Sequence, residues 1–205
     1  MIEQGSEQWF EARLGKATAS RFKDVLAVLK SGKPAEARTK YALQLAAERL
    51  TGRAANHFVT AAMQRGTDLE PAAIAEYEWQ AGEVCDPAPF VPHPELLAGA
   101  SPDRLVGADG LVEVKCPGEI AHLLTLRDGM PPEHMPQVQG QLWITGRQWC
   151  DFVSYHPDFP DGLRLYVERV KPDAEYINSL EQGVRSFLVE VDEVVDQVMA
   201  RTKEV

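Results

Sequence analysis

Apolar side chains recur at helical spacing along several stretches of the chain, and these stretches are predicted to be helices. They are residues 20–29, 35–50, 61–81 and 136–145, and the segment opened by Pro172-Asp173. The apolar face of the first stretch comprises Phe22, Val25, Leu26 and Leu29. Proline disfavours a helix interior, so the proline at position 71 is expected to interrupt or start the third helix. The apolar stripe of the last helix is a core face or an oligomer seam, and we favour the core.

Short apolar runs in the second half of the chain predict strands. The runs 104–108 and 111–115 flank Asp109-Gly110, a pair typical of a hairpin turn. Residues 150–155 and 163–170 are predicted to be two further strands, and the proline-rich segment 85–99 is expected to be extended. This order of elements favours an α/β fold in which helices flank a mixed sheet.

The composition is that of a globular protein, with 44% hydrophobic and 25% charged residues among 205. That length suits a single domain, 1–205. The start of the sequence lacks the basic and apolar regions of a signal peptide, and no apolar run approaches the roughly 18 residues of a membrane span. We therefore expect a cytoplasmic protein without membrane contact. The three cysteines form no CxxC pair, which argues against a disulfide framework or a zinc knuckle.

The net charge of −10 argues against a non-specific nucleic-acid coat, but the charge is unevenly distributed. Residues 1–53 carry a net +4, residues 54–172 a net −9 and residues 173–205 a net −5. A basic first quarter beside an acidic middle is compatible with an anion-binding face next to a metal site. Ordinary surface variation explains it equally, and charge alone favours that simpler interpretation.

The predicted hairpin gathers two carboxylates and an ammonium group. Asp103 follows Ser101-Pro102 at the mouth of the first strand, and Glu113 and Lys115 leave the same face of the second. Clustered carboxylates repel each other unless a cation neutralises them, and Mg²⁺ prefers such oxygen ligands. Lys115 is suited to orient or help deprotonate a water, or to offset charge in a transition state. The alternative is a solvated strand face with a salt bridge.

Ser101-Pro102-Asp103 together with Glu113-Val114-Lys115 resembles the PD-(D/E)xK nuclease motif. Further segments resemble the lambda-exonuclease (YqaJ-like) branch of phage recombination nucleases, in the same order and from residue 3 to about residue 170. These segments are Glu3-Gln4-Gly5, Trp9, residues 13–20, the RGxxxEP pattern at 65–71, the ExKCP pattern at 113–117, and the spaced glutamines of 135–143. The resemblance implies a restriction-endonuclease-like fold.

The resemblance also implies roles for individual residues. It makes Asp103 and Glu113 metal-binding carboxylates, with the carbonyl of Val114 as a further ligand and Glu70 reaching a second metal. Two Mg²⁺ or Mn²⁺ ions are expected. Lys115 matches the catalytic lysine. The residues implied to position phosphate, water or the DNA end are Gln137, Arg13, Ser20, Ser101, Trp9 and Met63.

Several of these residues also have simpler interpretations. Ser20 is a plausible helix N-cap, whose free amides would favour a phosphate, and Trp9 is equally typical of a core position. Arg13 alone would suit a surface salt bridge. Gln137 and Gln139 cannot both face one site, because they are two apart on a helix.

The resemblance implies a metal-dependent 5′→3′ exonuclease on double-stranded DNA ends. It would digest the 5′-phosphorylated strand to mononucleotides and leave a 3′ single-stranded tail. A ring-shaped homotrimer and a single-strand annealing recombinase as partner are implied too. The alternatives are a restriction- or repair-type endonuclease on the same fold, and a DNA-binding module that has lost activity.

Overall fold

A computed structural model describes residues 4–55 and 60–201. Glu3, the first residue of the predicted N-terminal motif, lies outside this part. The helices are α1 (Glu7–Arg13), α2 (Phe22–Val25), α3 (Glu36–Thr51), α4 (Ala61–Ala81), α5 (Glu119–Asp128), α6 (Met135–Thr145) and α7 (Ala174–Arg201), with 3₁₀ turns at Ala19–Arg21 and Pro132–His134. The strands are β1 (Ala17–Thr18), β2 (Cys85–Pro87), β3 (Val91–Pro92), β4 (Ala98–Ala100), β5 (Arg104–Val106), β6 (Gly110–Lys115), β7 (Trp149–Tyr155) and β8 (Leu165–Val170).

The main sheet has the strand order β2-β5-β6-β7-β8. Its central pair, β6 and β7, is parallel and the other neighbours are antiparallel. Parallel neighbours need a crossover connection, and here the chain between β6 and β7 forms α5 and α6. A smaller sheet, β1-β4-β3, lies beside the first helices. The predicted mixed sheet flanked by helices is therefore confirmed. The predicted hairpin forms as well, but its turn lies at 107–109, and Gly110 is already the first residue of β6.

The stripe on α7 is a core face, as favoured from the sequence. Leu180, Val184 and Phe187 are buried, and Phe187 stacks on Tyr41 of α3 with ring centroids 5.3 Å apart. The other large cluster packs α4 onto the main sheet. In the described part of the chain, none of the helices is long and apolar enough to cross a membrane.

Two helix predictions are wrong in extent. The predicted helix over 20–29 is a 3₁₀ turn followed by the four residues of α2, because the chain then folds back on itself. The N–H of Leu29 donates to the carbonyl of Lys33 at 2.8 Å, and the Leu29 side chain is largely exposed. The helix α4 instead runs unbroken through Pro71. A proline removes one N–H from a helix, and the buried face of α4 at Ala73, Ile74 and Tyr77 keeps it packed on the sheet.

Candidate active site

The β5–β6 hairpin brings Asp103 and Glu113 together. The N–H of Asp103 donates to the carbonyl of Val112 at 3.2 Å, and Asp103 Oδ2 accepts the N–H of Val114 at 2.7 Å. Glu113 is only 2% exposed, which excludes the solvated strand face considered as an alternative. Burial, and then the nearby charge of Glu113, raise the pKa of Asp103 well above its ordinary value. The two carboxylates therefore carry a repulsion that a bound cation would relieve.

Glu113 accepts hydrogen bonds from three side chains. Lys115 Nζ and Gln137 Nε2 both donate to its Oε1 at 2.5 Å, and Gln141 Nε2 donates to its Oε2 at 2.5 Å. Gln137 and Gln141 are four apart on α6, so they share one helix face. Gln139 instead accepts the N–H of Asp173, so the expectation that Gln137 and Gln139 face different sites is confirmed. The sequence analysis missed Gln141, although its i,i+4 spacing from Gln137 was a usable signal.

Lys115 is held as an ammonium group by the acids around it. Burial lowers its pKa, but the charges of Glu113 and Asp103 and the hydrogen bond to Glu113 outweigh burial, so the net pKa shift is upward. Its Nζ also donates to Gln137 Oε1 at 3.1 Å. A protonated Lys115 is suited to orient a water or to offset negative charge, and not to act as a base.

Glu70 reaches the site from α4 and is paired with a cation. Its Oε1 lies 2.9 Å from Arg104 Nη1, and the same Nη1 donates to the carbonyl of Asp103 at 2.6 Å. The charge of Glu70 adds to the upward shift of the Asp103 pKa. Arg104 was not identified from the sequence. Its positive charge compensates part of the negative charge of Asp103, Glu113 and Glu70.

These acids form a donor set suited to a hard divalent cation. Asp103, Glu113 and Glu70 offer carboxylate oxygens, and the carbonyl of Val114 remains a predicted further ligand. Within residues 4–55 and 60–201, no three His, Cys, Asp or Glu side chains stand arranged as a metal-ligand cluster. The carboxylates are instead held by Lys115, Gln137, Gln141 and Arg104. The charge of Glu113 raises the pKa of Asp103, so a divalent cation bound by these oxygen donors would relieve their repulsion.

A second group of side chains lies just before the hairpin. Ser101 Oγ accepts hydrogen bonds from Arg13 Nη1 at 2.9 Å and from Trp9 Nε1 at 3.1 Å. The guanidinium of Arg13 also stacks over the Trp9 ring, 3.9 Å from its centroid. Burial lowers the pKa of Arg13 to about 10, so the group is still a cation at neutral pH but is partly desolvated. Trp9 is half-buried in this group and not a core residue.

Hydroxyl groups extend this cluster. Arg13 Nη2 donates to Thr18 Oγ1 at 3.5 Å, and Thr18 Oγ1 lies 3.3 Å from Ser20 Oγ. Ser20 is exposed and does not cap a helix, so that interpretation is wrong. The turn at Gly15, with φ +67°, allows the chain to return from α1 to β1, and its N–H donates to Glu48 of α3.

One cavity extends from this cluster to Glu70 and Arg104. It has a volume of about 1050 Å³ and is lined by Trp9, Arg13, Ser20, Met63, Glu70 and Arg104, among others. Met63 lies in the first turn of α4 and is 56% exposed. The N-terminal residues Trp9, Arg13 and Ser20 thus line the same cavity as Glu70. Ser101, which binds Arg13 and Trp9, precedes the hairpin acid Asp103 by two residues.

Comparison with known proteins confirms the resemblance suggested by the motifs. Residues 8–148 match the YqaJ-like viral recombinase domain. The alkaline exonuclease LHK-Exo of Laribacter hongkongensis is 42% identical, with a TM-score of 0.89 over 97% of this chain and 99% of that one. LHK-Exo in complex with dAMP matches at 41% identity, the same TM-score and the same coverage. A comparison with curated protein sequences finds no match.

A more distant structure supports the fold alone. The phage-related exonuclease of Haemophilus somnus 129PT is 17% identical, with a TM-score of 0.70 over 89% of this chain and 96% of that one. The profile match covers most of the chain, and LHK-Exo aligns over nearly its whole length. The chain therefore belongs to the YqaJ-like viral recombinase family.

Proposed function

We propose that this protein is a metal-dependent 5′→3′ exonuclease that starts at the end of double-stranded DNA. It digests the 5′-phosphorylated strand to mononucleotides and leaves a 3′ single-stranded tail. The family and LHK-Exo support a nuclease of the lambda-exonuclease type. One observation carries the finer proposal: Ser101, which accepts hydrogen bonds from Arg13 and Trp9, precedes Asp103 by only two residues. A solved complex of LHK-Exo contains dAMP, a deoxynucleoside monophosphate, which agrees with such a product.

Nucleases of this family generally depend on a divalent metal. We place two Mg²⁺ or Mn²⁺ ions on Asp103, Glu113, Glu70 and the carbonyl of Val114. Ions bound there would polarise the phosphodiester and lower the pKa of the attacking water. Lys115 orients that water and offsets the charge that develops on the phosphate.

Gln137 connects the lysine and the glutamate. It accepts from Lys115 and donates to Glu113, so it keeps both side chains in one orientation toward the scissile phosphate. Holding reacting groups in place supplies a large part of a catalytic rate enhancement.

The assembly and setting follow from the same proposal. A ring-shaped homotrimer would let the remaining strand thread a central channel, with basic residues of the first quarter of the chain lining it. A single-strand annealing recombinase would take up the exposed 3′ strand. We propose one exonuclease domain, 1–205, acting in the cytoplasm of the bacterial host of a phage or prophage.

Linear and closed circular duplex DNA test the reaction class directly. With Mg²⁺, we expect the wild-type protein to degrade the linear form and to leave the circle intact, because an end pocket needs a terminus. Gel analysis over time measures both. Nicking or linearisation of the circle would indicate an endonuclease, and no cleavage of either form would indicate a binding module. A chelator is the matched control, because it should stop degradation of the linear form.

The end pocket should recognise a 5′-phosphate. A terminal phosphate carries more charge than an internal phosphodiester and has three free oxygens for Arg13, Ser20 and Ser101. Wild-type protein should therefore initiate faster on 5′-phosphorylated than on 5′-hydroxyl duplex. Arg13→Ala should reduce that preference by roughly 1.5–3 kcal/mol, the size of a hydrogen bond to a charged group, or about ten- to a hundredfold.

Initiation rates are compared at one ionic strength, because phosphate contacts weaken with salt. Arg127→Ala is the matched control, since Arg127 is exposed at the end of α5 and does not line the cavity. Arg13→Lys should fall between the two, because lysine keeps the charge but lacks the fork that reaches both Ser101 and Thr18. An unchanged preference in Arg13→Ala would remove Arg13 from the pocket.

A further inference from the structure

A glycine in the middle of α6 is packed against the segment that carries Ser20. We call residues 19–26 the pocket segment; it comprises the 3₁₀ turn, α2 and Leu26. A Cβ atom on Gly140 would lie 2.4 Å from Cδ2 of the Phe22 ring and 3.5 Å from Cβ of Ala19. Carbon atoms pack best at about 3.5–4.0 Å, and Phe22 is fully buried. Only a glycine at position 140 therefore allows the Phe22 ring to pack this closely against α6.

A second helix glycine meets the same segment. A Cβ on Gly183 of α7 would lie 2.5 Å from Cδ2 of Leu26. Glycine weakens a helix interior, so two of them against one short segment indicate that close docking is required there. Leu26 is able to rotate away, whereas the Phe22 ring is enclosed, so Gly140 is the stricter of the two constraints. Gly66, inside α4, faces open space and has no such packing reason.

The helix α6 connects this contact to the catalytic acids. Gln137 and Gln141, on either side of Gly140 along the helix, both donate to Glu113. Gln139 fixes the same helix to the start of α7 through the carbonyl of Lys171 and the N–H of Asp173. Because these side-chain bonds anchor α6, an added Cβ at position 140 would displace the pocket segment and not the helix.

The opposite wall of the phosphate pocket is attached to the same acids by the chain itself. Ser101, which binds Arg13 and Trp9, precedes Asp103 by two residues. The pocket thus has two attachments to the metal site, a covalent one through Ser101 and a packing one from Ser20 through Phe22 and Gly140. The packing contact between Phe22 and Gly140 therefore determines the distance between Ser20 and Glu113.

We propose that the Phe22–Gly140 contact is a spacer that fixes the distance between the 5′-phosphate pocket and the catalytic acids. Phe22 and Gly140 are then positioning residues, which convert recognition of the 5′-phosphate into faster cleavage of the neighbouring phosphodiester. The inference rests on the proposed exonuclease function and deepens it. It concerns the distance between the 5′-phosphate pocket and the metal site, and it proposes no new ligand.

The physical reason is that the substrate is held at two points at once. A terminal phosphate bound in the pocket delivers the scissile phosphate to the acids only when the spacing matches. A misplacement of about 1 Å costs up to roughly a hundredfold in rate, although binding is preserved. The advantage of a 5′-phosphate should therefore appear in kcat, where the geometry of the transition state matters, and only weakly in KM.

Gly140→Ala tests this, with Gly183→Ala as the matched helix-glycine comparison, because the Leu26 side chain that it would meet is able to rotate away. Initiation on 5′-phosphorylated and 5′-hydroxyl duplexes is measured for kcat and KM separately. We expect Gly140→Ala to lower kcat on the phosphorylated end by roughly tenfold or more. KM and the kcat on the hydroxyl end should stay near their wild-type values, and Gly183→Ala should lose much less of the kcat advantage than Gly140→Ala. The double variant Phe22→Leu/Gly140→Ala should recover most of the loss, because leucine makes room for the added methyl.

A Gly140→Ala protein with the wild-type kcat advantage would overturn the spacer, and so would an equal loss on both ends that Phe22→Leu does not rescue. If Gly140→Ala fails to fold, Phe22→Leu alone decides, since it loosens the contact: a reduced kcat advantage supports the spacer and an unchanged one overturns it. A wild-type protein without 5′-phosphate preference would contradict the proposed function itself, and this inference with it. The two failures are therefore distinguishable.

Discussion

Asp103→Asn should abolish most DNA cleavage while leaving the metal-free protein at least as stable as wild type. The first effect follows from the loss of a hard oxygen ligand, since a catalytic metal supplies several kcal/mol of transition-state stabilisation. A fall of at least about 10³-fold in kcat is expected. The second effect follows because burial and the charge of Glu113 raise the pKa of Asp103, so a neutral amide removes an unfavourable interaction. An asparagine oxygen still accepts the N–H of Val114, as Oδ2 does now at 2.7 Å.

Two measurements separate these effects. Mg²⁺ should raise the melting temperature of the wild-type protein, because it binds the folded state, and should raise that of Asp103→Asn much less. Calorimetric titration with Mg²⁺ gives the loss of affinity directly. Asp109→Asn is the matched control, since Asp109 is exposed in the turn of the same hairpin. Undiminished Mg²⁺ binding by Asp103→Asn would place the metal elsewhere.

Glu113→Gln should lose cleavage to about the same extent as Asp103→Asn, but it should also destabilise the metal-free protein. Glu113 accepts from Lys115, Gln137 and Gln141, and a glutamine would turn an NH₂ group toward one of these donors. A donor without an acceptor in a buried site costs about 1–3 kcal/mol. The metal-free melting temperature should therefore fall in Glu113→Gln and not in Asp103→Asn. This contrast distinguishes the two acids by their surroundings, although both are predicted metal ligands.

The hairpin and its acids were predictable because their signals are local. The apolar runs on either side of Asp109-Gly110 predict which strands pair, although the turn itself lies at 107–109. The two-residue spacing of Glu113 and Lys115 puts both side chains on one strand face. The long stripe on α7 likewise identified a core face without any knowledge of its partner. The family resemblance added Arg13, Ser20, Ser101 and Trp9, which local patterns alone could not bring together. In the structure Trp9, Arg13 and Ser20 line one cavity, and Ser101 is hydrogen-bonded to Arg13 and Trp9, but their roles remain predictions.

The errors arose where a long-range contact overrides a local pattern. Residues 27–35 turn back on themselves, so the predicted helix ends early, at Val25. At its other end, Ser20 lies inside the 3₁₀ turn Ala19–Arg21 and therefore caps no helix. Burial against the main sheet sustains α4 through Pro71, although proline normally interrupts a helix. Arg104 was missed for the same reason, because its partner Glu70 is 34 residues away in the sequence and no spacing rule connects them. Gln141 is different: its partner Glu113 is 28 residues away, but its i,i+4 spacing from Gln137 was a usable signal.

Lys115→Ala should lower kcat by roughly 10²–10³-fold while preserving metal binding, whereas Asp103→Asn is expected to lose both cleavage and metal binding. A group that stabilises charge developing in the transition state contributes about that much. Glu113 keeps the donors Gln137 and Gln141 when Nζ is removed, so it stays oriented toward the metal site. Mg²⁺ affinity should be equal to that of wild type or higher, because the ammonium that competes for Glu113 Oε1 at 2.5 Å is gone.

Single-turnover digestion of linear duplex and the Mg²⁺-induced rise in melting temperature measure the two halves of this prediction. Lys171→Ala is the matched control, since the Lys171 side chain is exposed after β8 and lies outside the basic first quarter of the chain. Lys115→Arg should recover only part of the rate, because a planar guanidinium keeps the charge but not the compact geometry that reaches both Glu113 and Gln137. Near wild-type digestion by Lys115→Ala would show that the lysine is only a counter-ion of Glu113. A loss of Mg²⁺ binding together with activity would make it a structural element of the metal site.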